Sequence, residues 1–290
     1  MRLDGILLVD KPEGMSSAGV VREVKRRLAV GKVGHLGTLD PFATGLLPLC
    51  LGEGAKVVPF LNQEEKSYEG TIRLGLATDT LDRTGEETER APVPALAETA
   101  LAEAAARFTG EIEQVPPMYS ALKRGGVPLY ELARRGVEVE REARRVTIER
   151  FVLRANGPDK IDFEVDCSKG TYVRVLAADI ARALGTVAHL ERLRRTRFGA
   201  FTVDRSAALD SIAGDADLPF LSAREALASR ELEIDAEGER RIRLGQQAVL
   251  RDLPPPSAAG EIAKAIARQE RLVAILGEER GTWKILRVFA

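Results

Sequence analysis

Histidine and cysteine are scarce in this sequence, two of each among 290 residues, and they do not cluster. That scarcity excludes a zinc-built module and a disulfide-built scaffold. Cys50 and Cys167 lie in apolar-patterned segments and read as buried, reduced thiols. No apolar run approaches the roughly 20 residues a membrane-spanning helix needs; Leu46 to Leu51 is stopped by Gly52-Glu53. Met1-Arg2-Leu3-Asp4 carries no basic region followed by a long apolar segment. A secretory leader is therefore not expected, and the cytoplasm is the expected compartment. A phosphate-binding P-loop is missing, and Gly31 to Gly37 lacks the GxGxxG spacing of a dinucleotide loop. There is no internal repeat.

Neither sign of charge dominates: 43 basic and 44 acidic residues leave a net charge of −1. The charges are unevenly spread. Residues 61–106 hold ten acidic and four basic side chains, whereas Arg192, Arg194, Arg195 and Arg197 fall within six residues with only Glu191 beside them. Lys123, Arg124, Arg134 and Arg135 form a second basic region. A phosphate backbone needs a local positive surface and not a positive total, so an RNA-binding face and a merely solvated basic face both fit these clusters.

At 44% hydrophobic, 290 residues bury a substantial core and suggest two domains. Gly5 to Asp10 reads as a buried strand, and Ser16 or Ser17 caps a helix with Val20, Val24 and Leu28 on one face. Residues from Tyr68 to Leu74 and from Ile161 to Cys167 alternate as half-buried strands do, and Val146 to Val152 does so imperfectly. The acids Asp162, Glu164 and Asp166 fall on one strand face, which reads as solvated and not as a metal site. Pro94 to Phe108 suggests a surface helix, and Leu176, Ile180 and Leu184 mark another, stopped by Gly185. Residues 110–145 look loop-like. Past residue 235, Ile242 to Leu250, Arg271 to Leu276 and Trp283 to Phe289 read as short strands around Pro254-Pro255-Pro256. The expected class is α+β, with a central mixed, largely antiparallel sheet flanked by helices and a small β-rich C-terminal domain.

The most informative segment is Gly34 to Lys56, GHLGTLDPFATGLLPLCLGEGAK. Asp40 sits in a glycine-containing turn, its backbone restricted by Pro41, before a strongly apolar run. A structural turn aspartate and a nucleophile or base both fit that setting. The segment resembles the catalytic motif of the pseudouridine synthases, the bacterial TruB type in particular. The resemblance extends to Gly5-Ile-Leu-Leu-Val-Asp-Lys-Pro-Glu-Gly-Met-Ser-Ser17, Lys66-Ser-Tyr68, Thr78-Asp-Thr-Leu-Asp82, Pro117-Met-Tyr-Ser-Ala-Leu-Lys123, Lys169-Gly-Thr-Tyr-Val-Arg174 and His189 through Gly199, in the family's order. It covers roughly the first two hundred residues, and an ordered series is far more specific than one motif.

The resemblance implies isomerisation of uridine 55 in the T loop of tRNA: the N1–C1′ bond breaks, the uracil turns, and C5 takes the place of N1. No redox change or group transfer occurs, so no metal or organic cofactor is implied. Asp40 is then the nucleophile, attacking C1′ (with a glycal after loss of the C2′ proton) or attacking C6; the residues fit both. A carboxylate desolvated under a base needs an opposing cation, and Arg174 matches the family's arginine. The target base must be flipped out. Tyr68 matches the tyrosine that stacks on it and relays the C2′ proton, Tyr172 and Leu193 match contacts to its edge and face, and His35 matches the histidine that fills its vacated place. Taken singly, these residues also fit core packing or a turn. Lys11 and Pro12 support the site wall, Tyr119 and Lys123 order an insertion closing over the RNA at about 110–145, and Arg192, Arg194 and Arg195 meet phosphates. His189 is structural.

The implied division is a catalytic domain over 1–234 and a PUA-like RNA-binding module over 235–290, in a monomer that binds the tRNA T stem-loop. A relative acting on another RNA, or within a guide-RNA particle, and a non-catalytic tRNA-folding protein remain open. The last would need His35 and the basic clusters but not Asp40.

Overall fold

The computed structural model describes residues 3–61, 65–214 and 217–289. Its elements follow from the patterns in the chain. The run Gly5–Lys11 forms β1, and Ser17–Leu28 forms α1, whose first turn is capped by the Ser16 side chain accepting from Gly19 N. Val33–His35 is β2 and Thr44–Leu51 is β3; residues 36–43 loop between them and carry Asp40. Glu65–Leu74 is β4, Glu98–Arg107 is α2 and Gly110–Gln114 is β5. Leu129–Arg134 is the short α3, followed by β6 (Arg144–Ala155), β7 (Lys160–Ser168), α4 (Val173–Ala183) and β8 (Ala188–Phe198).

These strands build one mixed sheet in the order β1-β3-β8-β4-β7-β6-β5, with β2 alongside β3. All neighbours in that order are antiparallel except β3 and β8, which run parallel over Thr44↔Arg194 and Gly45↔Arg195. At this seam Gly45 has φ +98°, and a Cβ there would stand 2.3 Å from the Arg195 carbonyl, so only glycine lets the two backbones meet. The mixed α+β class expected from the sequence is what the chain adopts.

Strands β1 and β3 are buried on both faces, which explains their unbroken apolar runs. One face, through Leu7, Val9, Leu47 and Leu49, joins the main core with α1 and α4. The other, through Ile6, Leu8, Leu46 and Cys50, packs against Ile266, Leu272 and Ile275 of a separate four-stranded sheet and against Phe289 just past its last strand. That sheet comprises β9 (Arg230–Glu233), β10 (Ile262–Ala267), β11 (Arg271–Glu279) and β12 (Thr282–Val288), in that order. It opens at Arg230, just before the boundary expected at 234/235.

Two local expectations fail. Ile242 to Leu250 is not a strand: α5 (Ala236–Arg243), capped by Asp235, ends within it and a 3-10 turn at Gln247–Asp252 follows. Ile242 is a buried residue of the helix, and its apolar spacing was compatible with either period. Residues 110–145 are not simply loop. Gly110–Gln114 pairs with β6 as the sheet's edge, and the segment beyond it holds a small hairpin, Lys123–Arg124 with Val127–Pro128, leading into α3.

Because Ile275 is fully buried where the two sheets meet, Ile275→Ala should lower stability by about 2–5 kcal/mol in urea unfolding. A loss below about 1 kcal/mol would mean that this contact contributes little to the fold.

Candidate active site

The Asp40 loop is held from three sides. Leu36, Leu39, Phe42 and Ala43 are buried and anchor it to the core. The Ser17 hydroxyl, at the start of α1, accepts from Leu39 N at 2.9 Å and donates to Leu39 O at 3.0 Å. Lys11 Nζ, fully buried at the end of β1, donates to the carbonyls of Pro12, Met15 and Pro41. Burial pushes its ammonium down to about 8, opposed by Asp40. Three carbonyl acceptors suit three N–H donors, so Lys11 clamps the loop by geometry as well as charge. Gly37 adopts φ +66°, and a Cβ there would meet the Phe198 ring at 2.7 Å and Arg195 Nη1 at 3.2 Å.

Opposite the loop, α4 begins beside Gly170-Thr171-Tyr172. Its first turn has no side-chain cap of its own. Buried Gln114, at the end of β5, serves instead: its Oε1 accepts from Tyr172 N at 3.0 Å and its Nε2 donates to Tyr172 O at 3.4 Å. This places Arg174, only 5% exposed, with all three guanidinium nitrogens engaged. Nε lies 3.0 Å from Asp40 Oδ2; Nη1 donates to Thr80 O at 2.7 Å and to Asp82 Oδ2 at 3.3 Å; Nη2 donates to Tyr119 O at 2.7 Å. Asp82 is itself buried and tied to Thr80 and Thr84.

Asp40, Tyr68, Tyr172, Arg174 and Leu193 line one pocket of about 270 Å³, together with Lys66, Ser120 and Arg195. Tyr68 on β4 and Leu193 on β8 project from the same sheet face, since Leu193 pairs with Gly70 and Arg195 with Tyr68. Tyr68 is buried, and burial pushes its phenol up, as it does that of Tyr172. Asp40 keeps 38% of its side chain open to the pocket. Protein crowds it nonetheless, and desolvation raises its carboxyl above the ordinary aspartate value; Arg174 opposes that shift, Asp82 adds to it and Lys11 opposes it. The arrangement presents one carboxyl, raised by burial and opposed by a buried guanidinium, in a pocket it shares with an aromatic ring and a leucine.

His35 ends β2 at one margin of this loop, half-buried, with its imidazole held below its usual value by burial and by Arg195. Lys123 is exposed on the insertion hairpin. The arginine cluster does not form a single phosphate-facing surface. Alternation along β8 sends Arg192 and Arg194 to the face away from Leu193 and Arg195. There they border a depression shared with Glu69, Asp162, Glu164 and Glu191. Arg194 is paired with both oxygens of Asp10, and Arg197 with Glu65. Arg195 is fully buried, so it cannot meet a phosphate. Only Arg192 of the four is exposed. Four arginines spaced within six residues look basic until the strand period divides them and nearby acids are counted.

The acids Asp162, Glu164 and Asp166 engage Thr71, Arg150 with Arg154, and Ser67. His189 Nδ1 donates to Leu76 O at 2.9 Å from inside the core. Three residues at the site had no role from sequence. Asp82 and Ser120 lay in recognised motifs, and the buried pairing of Asp82 is visible only in three dimensions; Gln114 carried no local signal.

With this geometry in place, two family descriptions match the chain: TruB family pseudouridylate synthase (N terminal domain) over residues 25–173, and tRNA pseudouridylate synthase B C-terminal domain over residues 174–218. The chain belongs to the TruB family of pseudouridylate synthases. Among TruB relatives named tRNA pseudouridine synthase B, that of Geobacter sulfurreducens is 40% identical, covering 99% of this chain and 100% of its own. That of Burkholderia lata is 46% identical, covering 96% and 88%, and that of Aromatoleum aromaticum 49%, covering 81% and 77%. In fold, the chain is similar to a protein solved in a Cbf5-Nop10-Gar1 complex, with a TM-score of 0.69 at 23% identity over 99% of this chain and 85% of that one. No helix among the described residues is long and apolar enough to cross a membrane.

The charge balance at Asp40 can be read without turnover. Carboxyl-carbon NMR should titrate Asp40 above the ordinary aspartate value. Arg174→Met, by removing the cation that favours the ionised form, should move the midpoint higher, and Asp82→Asn should move it lower. A midpoint at or below the ordinary value in the parent would show that burial does not dominate there.

Proposed function

We propose that this TruB-family chain converts uridine 55 in the T loop of tRNA to pseudouridine, with Asp40 as nucleophile. The observation that carries the proposal is the Asp40–Arg174 pair at 3.0 Å in a pocket walled by Tyr68, Tyr172 and Leu193. The names of its relatives support tRNA as the substrate.

The residues divide the work as follows. The target base is extruded from the T loop, whose folded shape is recognised more than a long sequence. His35, at the margin of the loop, enters the space the base leaves. Tyr68 stacks on the uracil, while Leu193 and Tyr172 bound its other face and edge. Arg174 keeps Asp40 ionised for attack, at C1′ or at C6, and the uracil is expelled, turned and rejoined through C5. The C5 proton is released and N1 gains one, so the product is an isomer. Tyr68 is placed to relay the C2′ proton if the reaction passes through a glycal. Lys123 and the insertion around it approach the RNA from the side of Tyr119, whose carbonyl already binds Arg174. Residues 1–234 form the catalytic domain and 235–290 a PUA-like RNA-binding module. The protein works as a monomer in the cytoplasm.

Purified protein, incubated with unmodified tRNA and no added cofactor, should form pseudouridine at position 55, and Asp40→Asn should lower the rate by at least about a thousandfold while still binding tRNA. Pseudouridine is mapped along the RNA and binding is measured by filter retention. No pseudouridine at any position, with parent and variant binding equally, would leave the tRNA-folding reading in its place.

A further inference from the structure

Arg195 heads the fully buried side chains of the described residues in size, and it is a cation. Removing a guanidinium from water is costly, and an apolar side chain of similar volume would fill the same space without that cost. What the charge engages is therefore informative. Nε donates to Leu46 O at 2.7 Å and Nη2 to Gly37 O at 2.9 Å. Those carbonyls stand on the two sides of the Asp40 loop, one before the aspartate and one after it. The Phe198 ring lies 5.2 Å from the guanidinium and packs against Gly37. Nη1 is buried and forms no hydrogen bond of good geometry, the Tyr68 phenol interacts with the guanidinium, and the side chain forms part of the Asp40 pocket wall. Across the strands, Arg195 is in register with Tyr68.

We propose that Arg195 is a positioning residue for the reaction, a brace that spans both ends of the Asp40 loop and holds the Tyr68 phenol oriented above it. The inference rests on the synthase reading given above. It replaces a phosphate contact with a role inside the pocket wall. The guanidinium also bears electrostatically on the groups around it, favouring the ionised phenol of Tyr68 against burial and disfavouring the charged imidazole of His35. A brace of this kind acts on reaction geometry and not on RNA affinity, and small misplacements of reacting groups are worth about a hundredfold in rate.

The test compares the parent protein with Arg195→Met and Arg195→Lys. Single-turnover pseudouridine formation at saturating tRNA, the tRNA Kd and thermal unfolding are measured for each. The protein has four tyrosines, so 3-fluorotyrosine labelling gives a fluorine spectrum in which Tyr68→Phe assigns the Tyr68 signal. The Met variant should lose about a hundredfold or more in single-turnover rate with Kd within about threefold of the parent. The Lys variant, which restores charge but cannot reach both carbonyls at once, should recover about tenfold of that loss. The Tyr68 signal should move in both variants. The proposal is overturned if rate and Kd weaken together, as a phosphate contact requires, or if the rate falls only with the folded fraction. It is equally overturned if the Tyr68 signal stays in place, or if neither variant folds, since Arg195 would then be a core residue only. A parent that forms no pseudouridine at all sinks the synthase reading instead, and the fluorine spectra still decide whether Arg195 holds Tyr68.

Discussion

One guanidinium holds this site together. Arg174 is almost wholly buried, and its donors are divided among a carboxylate in the Asp40 loop, a second buried carboxylate at Asp82, and the backbone carbonyls of Thr80 and Tyr119. A buried cation with that many partners is costly to place and hard to move, which is what a fixed counter-ion requires. It also makes Arg174 the meeting point of four segments far apart in sequence. The insertion, the loop around residue 80, the start of α4 and the Asp40 loop all close on it.

The architecture exists to bring those segments together. Parallel pairing of β3 with β8 at Gly45 sets the far end of the Asp40 loop against the strand that carries Leu193 and Arg195. Lys11 and Ser17 fix the same loop from the N-terminal strand and helix. Gln114, from the sheet's edge, does for Tyr172 what a capping side chain would do for α4. The result is a carboxylate that is crowded and yet opposed by charge, a balance in which burial raises Asp40 and Arg174 restrains it. The second sheet seals the outer face of β1 and β3 and so keeps both strands buried on two sides.

Much of this was legible in the sequence where a single period or a local motif carried it. The buried runs of β1 and β3, the capped α1 and the clean alternation of β7 are local facts. Asp40, Tyr68 and Arg174 were legible through the order of family motifs, since each alone fits an ordinary turn, core or surface residue. What was not legible depended on which face a strand presents or what lies across from it. Arg192 to Arg197 looked like one basic patch, but the strand period divides them, and Arg195 is spent inside the pocket wall. Asp82 needed Arg174 brought to it from 92 positions away. Ile242 to Leu250 showed apolar spacing that strand and helix share, and only packing decided it.

If Arg174 acts through its tie to Asp82, the two cannot be separated by mutation. Single-turnover pseudouridine formation should be measured for Asp82→Asn, Arg174→Lys and the double variant at saturating tRNA. Each single variant should be slowed, and the double variant should be no slower than Arg174→Lys alone, the signature of residues working as a unit. Losses that multiply would mean that Asp82 and Arg174 contribute independently, and that the shared guanidinium is not what organises the site.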